Sequence, residues 1–221
     1  MQANVQSAID SDQAVGLLSV AKSPDQDVFG DIYNPSIGMT VWQRPLGELS
    51  DYAESLLVSS PNFSYTSQGS SEKITTLLGR LLPDADGKEA FVADIGLLVD
   101  MFACLFDLEE VGVRLTALSS AMCPRFHVDK IPCRMVSTYS GTGSEWLHEA
   151  HVIRDHLGRG GRATDLNSGL SDTGVINRLQ AGDVAIMKGD EWPTSLGRGM
   201  VHRSPAASAE DKRLFLSIDM I

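Results

Sequence analysis

The stretch whose reading decides the fold is CPRFHVDKIPCRMVSTYS, residues 123–140. Within its first eleven residues stand Cys123, His127, Asp129 and Cys133, all metal-ligand types, in a chain with only three cysteines and five histidines. Successive side chains of an extended strand point to opposite faces. HVD read as a strand therefore places His127 and Asp129 on one face and Phe126 and Val128 on the other. An imidazole and a carboxylate on one face are two legs of a metal site. The third leg is expected from His202 in MVHRSP, a later strand-like segment. Two histidines and a carboxylate on one triangular face leave the opposite positions of an Fe(II) ion open for oxygen and an organic acid. Taken alone, HVD reads equally as a surface histidine beside a solvated aspartate.

Around this stretch the chain changes period. Downstream, GVRLTALS (112–119), PCRMVSTYS (132–140), GVINRLQ (174–180), GDVAIMKG (182–189), GMVHRS (199–204) and KRLFLSIDMI (212–221) are short β-branched and apolar runs separated by Gly, Pro, Asp and Ser, an antiparallel β pattern. Upstream, Leu49, Tyr52, Ala53, Leu56 and Leu57 form a helical stripe, repeated by Ile74, Leu77, Leu78, Leu81 and Leu82, which Pro83 ends. A third helix is expected over 88–108, with Phe91, Ile95, Leu98, Phe102 and Leu105 on one side and Cys104 in the core. Residues 1–36 show no sustained period and carry Pro24, Gly30, Asn34 and Pro35; with a strand at 38–44 they read as a surface arm. The organisation expected is an arm over 1–45, a helical layer over 46–110 and a β core over 111–221, together one compact α+β unit. Residues 148–169, with clustered glycines and little period, read as a mobile lid.

Composition narrows the function. The 221 residues, 43% hydrophobic, suffice for a sizeable core, and a net charge of -11 argues against a nucleic-acid partner, since phosphate binding rests on lysine and arginine. The amino terminus has no basic region followed by an apolar run, and no apolar stretch approaches the roughly 20 residues that span a bilayer. A cytoplasmic protein with no membrane partner is expected. Cys104, Cys123 and Cys133 are odd in number and sparse, hence read as reduced thiols.

The order HVD, strand, AGDVAIMKG, VHRSP, KRLFLSID resembles the second half of the 2-oxoglutarate and Fe(II)-dependent dioxygenase superfamily over roughly residues 120–221. The resemblance implies a double-stranded β-helix, of jelly-roll or cupin type, beneath an N-terminal layer of about three helices. It implies Fe(II) held by His127, Asp129 and His202, with 2-oxoglutarate anchored by Arg213, eleven residues after His202. A guanidinium suits that role because it grips a carboxylate through two parallel charge-assisted hydrogen bonds. Tyr139 and Ser217, on strands expected to line the same mouth, are read as assisting the grip. No catalytic side chain is assigned beyond the metal ligands. More closely, CPRFHVDKIPCRMVSTYSGTGSEWL resembles a bacterial family of unknown function, domain family 1826. That resemblance implies an association with zinc-responsive gene neighbourhoods and so with metal homeostasis.

Two readings of the site follow. In one, the chain is an Fe(II) and 2-oxoglutarate-dependent oxygenase acting on a small-molecule or other unknown substrate, closed by the 148–169 loop. In the other, it is a non-catalytic zinc protein in which Cys123 or Cys133 adds a ligand to the triad. Four protein ligands close a zinc site, whereas an open position keeps catalysis possible. Both cysteines also read as small buried hydrophobes. His148, His151 and His156 read as solvated loop residues, and Trp146 and Trp192 either flank the mouth or pack at an edge.

Overall fold

The computed structural model describes residues 18–161, 164–193, 195 and 197–221. Its strands and helices in chain order are β1 (Ser19–Ser23), β2 (Ile37–Trp42), α1 (Leu49–Ser59), β3 (Ser64–Gly69), α2 (Ser71–Leu81), α3 (Lys88–Phe106), β4 (Val111–Leu118), β5 (Cys133–Ser140), β6 (Glu145–Leu147), β7 (Ile176–Arg178), β8 (Val184–Lys188), β9 (His202–Arg203) and β10 (Arg213–Met220). Seven strands form one sheet in the order β1-β2-β8-β5-β10-β4-β3. It is antiparallel except for the β1–β2 pair. A second sheet, β7-β6-β9, has three strands.

Each face of the large sheet is buried by different partners. Along β5, Cys133, Met135 and Tyr139 enter the core shared with the helices, while Val136 enters a second cluster with Trp146, Leu179 and Met200. β8 divides the same way, Val184 and Ile186 toward the helices, Ala185 and Met187 away from them. Leu214, Leu216 and Ile218 of β10 face the helices, so by alternation Arg213, Phe215, Ser217 and Asp219 face the other side. The helical core is built from Tyr52 and Leu56 of α1, Ile74 and Leu78 of α2 and Phe91, Ile95, Leu98 and Phe102 of α3. Each of these is at most 1% exposed, and burying side chains of this size contributes about 1.5–3 kcal/mol apiece.

Local chemistry sets the helix ends. Ser70 caps α2 by accepting from the Lys73 amide at 3.4 Å. α3 closes at Asp107 in the left-handed region, φ 53°, a conformation its short polar side chain tolerates. Cys104 is exposed rather than in the core. It lies two residues, about 200° of helix rotation, beyond buried Phe102 and so turns away from the sheet.

The segment read as an arm is different from residue 18 onward. β2 lies between β1 and β8, with Met39 and Val41 wholly buried, and so belongs to the sheet. Residues 1–17 of that segment lie outside the described residues. The helical layer also contains an unanticipated strand, β3, paired along β4 at the sheet edge. Residues 148–169 hold short 3-10 turns at Glu149–His151, Arg154–His156 and Gly158–Gly160. No helix of the described residues is long and apolar enough to cross a membrane.

Candidate metal centre

His127 is the sole bridge residue in the loop between β4 and β5, and its partner is His202 of β9. The two backbones exchange hydrogen bonds, His127 amide to His202 carbonyl and the reverse, each 3.0 Å. That ties the candidate ligands from distant parts of the chain into one antiparallel register. The imidazole ring centroids stand 4.6 Å apart. Asp129 is irregular in backbone but turns its carboxylate between the rings: Oδ1 is 3.5 Å from His127 Nε2 and Oδ2 is 3.5 Å from His202 Nε2. Ligand atoms of all three residues lie within 4.8 Å of one another. Gly189 permits the loop to dock at the end of β8, since a Cβ there would sit 2.0 Å from the Ile131 carbonyl oxygen and 2.7 Å from that of Asp129. The Gly189 and Asp190 amides bond the Pro132 and Asp129 carbonyls at 2.9 Å.

Hydrogen bonding presents the rings for metal. Nδ1 of His127 lies 3.0 Å from the Arg125 carbonyl oxygen and Nδ1 of His202 lies 3.1 Å from that of Met200. Carbonyls only accept, so each Nδ1 carries the proton and each Nε2 keeps its lone pair directed at the cluster. Burial takes His202 down to about 4 against the neighbouring Asp129 charge. Burial also depresses His127, but its hydrogen bond to Asp129 and the Arg125 carbonyl more than offset this and hold it above 6.5. Burial opposes ionisation of Asp129, yet the His127 hydrogen bond and the charges of His202 and Arg134 hold it well below the usual carboxylate range. An ionised carboxylate beside two imidazole lone pairs is a facial donor set for a divalent ion, and these three residues fit Fe(II).

The histidines open onto a small cavity, largely apolar through Leu118, Val136, Met187 and Phe215. Arg213 lines the same cavity and is 1% exposed. Its Nη1 donates to Ser204 Oγ at 2.9 Å and its Nη2 to Thr138 Oγ1 at 3.3 Å, but its Nε meets no partner among the described residues. Burial lowers its pKa from 12.5 to about 10. No carboxylate among the described residues pairs with it, whereas the other cavity arginines are neutralised, Arg134 by Asp129 and Asp219, Arg203 by Glu145. A buried cation with an unused donor has the chemistry to take a carboxylate.

Other residues named from sequence are not brought to the cavity. Tyr139 is fully buried on the helix side of β5, its ring tilted against Phe91 with centroids 4.6 Å apart, and donates to Asp94 Oδ2 at 2.6 Å. Asp94 is also paired with Arg44, so the phenol completes a structural network and does not grip an anion in the cavity. Cys133 faces the same side, where burial pushes its thiol far up, away from the thiolate a metal requires. Cys123 lines the cavity and is exposed, but neither cysteine joins the metal cluster. Trp146 is buried between the sheets and Trp192 packs against Tyr33 and Phe106, so neither flanks the mouth. His148, at 4.7 Å from the Trp146 ring, and His151 form no metal cluster with the described residues. The 148–169 segment, read as a lid, is held by ion pairs and hydrogen bonds where it is described. Glu149 receives both Arg154 and Arg198 at 2.6 Å, and Arg203 donates to the Leu166 carbonyl at 2.7 Å. Ser204, Thr138 and Arg134, which shape the site, carried no motif; for Arg134 alone a signal existed, an arginine on the same strand face as Val136.

A two-sheet fold of this kind is shared with a dioxygenase for auxin oxidation in rice, at TM-score 0.53 and 8% identity over 92% of this chain and 83% of that one. Similar solved structures also include a Pseudomonas putida prolyl-4-hydroxylase (13% identity, TM-score 0.43, 86% of this chain and 95% of that one) and the Fe(II)/α-ketoglutarate-dependent dioxygenase TqaL (12%, 0.39, 80% and 76%). The fold is thus one also found in a dioxygenase. The chain itself belongs to the family described as protein of unknown function (DUF1826), whose profile matches residues 23–219. No curated protein matches the sequence.

Proposed function

We propose that this protein is a metal-dependent oxygenase of the 2-oxoglutarate/Fe(II) type, acting on a small-molecule substrate, with the facing sheets serving as its double-stranded β-helix. The observation that carries the reading is the meeting of a His-Asp-His donor set and an unneutralised, buried guanidinium in one cavity. His127, Asp129 and His202 would hold Fe(II), and Arg213 would take the distal carboxylate of 2-oxoglutarate, with Ser204 and Thr138 holding the guanidinium in place. When bound, Fe(II) with 2-oxoglutarate supplies oxygen activation. The chain's own work is to fix three donors on one side of the ion, orient the cosubstrate through Arg213 and keep water out with the apolar wall. The rival zinc reading requires a cysteine ligand, and neither Cys123 nor Cys133 stands with the triad.

Anaerobic reconstitution with Fe(II), then 2-oxoglutarate, tests this. A visible charge-transfer band and cosubstrate turnover are expected, both abolished by His127→Ala. Tight retention of zinc that Cys123→Ser or Cys133→Ser releases would establish the other reading instead.

A further inference from the structure

Asp129 offers two oxygens to the cluster, and the structure distinguishes them. Each oxygen stands 3.5 Å from one imidazole, Oδ1 from His127 Nε2 and Oδ2 from His202 Nε2, but Oδ2 alone also accepts from Arg134 Nη1, at 2.8 Å. Arg134 cannot swing to serve both. Its Nε and Nη2 bond the two oxygens of Asp219 at 2.6 and 3.0 Å, fixing the guanidinium plane from the opposite edge. The pairing has a backbone cause, because Arg134 of β5 lies directly across from Asp219 of β10 in the sheet register. A planar fork held at two corners leaves its third donor pointing in one direction only. The arrangement is half-buried, the Arg134 side chain 26% and the Asp129 side chain 15% exposed, so water competes weakly for these bonds.

We propose that Arg134 and Asp219 are positioning residues for the metal: their hydrogen bond engages Oδ2 of Asp129 and leaves Oδ1 as the oxygen free to ligate the ion. Asp129 then ligates through one oxygen. An aspartate free to chelate with both would take a coordination position that the cosubstrate and oxygen need. The inference rests on the metal-site reading above, and it assigns to the sheet itself, through one cross-strand pair, the task of keeping the site open. Outer-shell partners of ligating side chains act this way generally, and losing one weakens metal affinity 10- to 100-fold.

The test is anaerobic titration of the purified full chain with Co(II) in place of Fe(II), reading both affinity and the visible absorption, whose intensity reports coordination number. Arg134→Lys keeps the charge but loses the fork. It is expected to bind Co(II) on the order of 10- to 100-fold more weakly, with an altered absorption intensity. Asp219→Asn keeps an acceptor and the fold, and is expected to shift both readouts in the same direction by less. It carries the test if Arg134→Lys does not fold. A purely structural pair would lower the melting temperature of the metal-free protein and leave the Co(II) affinity and spectrum of the folded variants at wild-type values, which would overturn the proposal. Wild-type protein that takes up no Co(II) overturns the metal-site reading itself, an outcome distinct from variants that bind as wild type does.

Discussion

Replacing Arg213 with methionine removes a buried cation while keeping much of the side chain's length, and it separates stability from function. The depression of the Arg213 pKa from 12.5 to about 10 corresponds to roughly 3 kcal/mol of unfavourable burial of charge in the ligand-free protein. Against this stand the hydrogen bonds to Ser204 and Thr138, about 1 kcal/mol each. The net expectation is that Arg213→Met stabilises the ligand-free protein by about 1 kcal/mol, or roughly 2–4 °C in melting temperature for a chain of this size. The sign with pH is definite. A base with a depressed folded pKa is most destabilising while protonated, so the wild-type penalty is complete at neutral pH and is relieved only as pH rises past about 10. 2-Oxoglutarate supplies the missing anion. At a hundred times its dissociation constant it should stabilise the wild type by about 2.7 kcal/mol and, at the same concentration, the variant by much less. Thermal unfolding with and without 2-oxoglutarate, in the presence of Co(II), reads both effects. A variant that melts lower than wild type without ligand, or that gains as much stability from 2-oxoglutarate as wild type does, would refute the reasoning.

Three further outcomes are expected. Tyr139→Phe should cost about 1–3 kcal/mol by leaving an Asp94 oxygen short of a donor, with 2-oxoglutarate affinity unchanged in a titration; a loss of affinity would return Tyr139 to the site. Co(II) affinity should fall as pH drops toward and through 6.5. His127 holds its proton above that value and protonation removes the lone pair, whereas His202 stays neutral down to about 4. Calorimetric titration across that range checks it, and affinity undiminished down to about pH 4 would contradict the assignment of His127. Cys123→Ser and Cys133→Ser should leave Co(II) affinity unchanged, because neither thiol stands in the cluster; weaker binding by either would restore a cysteine ligand.

How far the sequence disclosed this site depended on what surrounds each residue. β10 was plain in KRLFLSIDMI, and the triad was readable because His127, Asp129 and His202 sit in short extended segments whose alternation holds even where regular strand structure does not. The face of Tyr139 was not readable. β5 is buried on both sides, so its apolar residues do not alternate and the period-two signal that orients a strand is lost. β3, SYTSQG, is a polar edge strand whose existence rests on β4 rather than on its own apolar content. The Arg44–Asp94–Tyr139 network joins three elements remote in sequence, and a charged residue inside an apolar helix looks like an interruption until its partner is seen. Arg134 gave only its strand face, for a similar reason, since its meaning lies in the residue across the sheet.

β10 lies between β5 and β4, and β2 reaches β8 across most of the chain. Almost every pairing that frames the cavity is therefore remote in sequence, a topology whose closure is slow, on the order of milliseconds to seconds. A small zinc module gathers its ligands locally and lets the ion drive its folding. Here no early intermediate can present His127 beside His202, because their shared bridge needs β6 and β9 already in place against the main sheet. On the proposed reading an ion would meet a finished scaffold, and its uptake would be a late event of maturation.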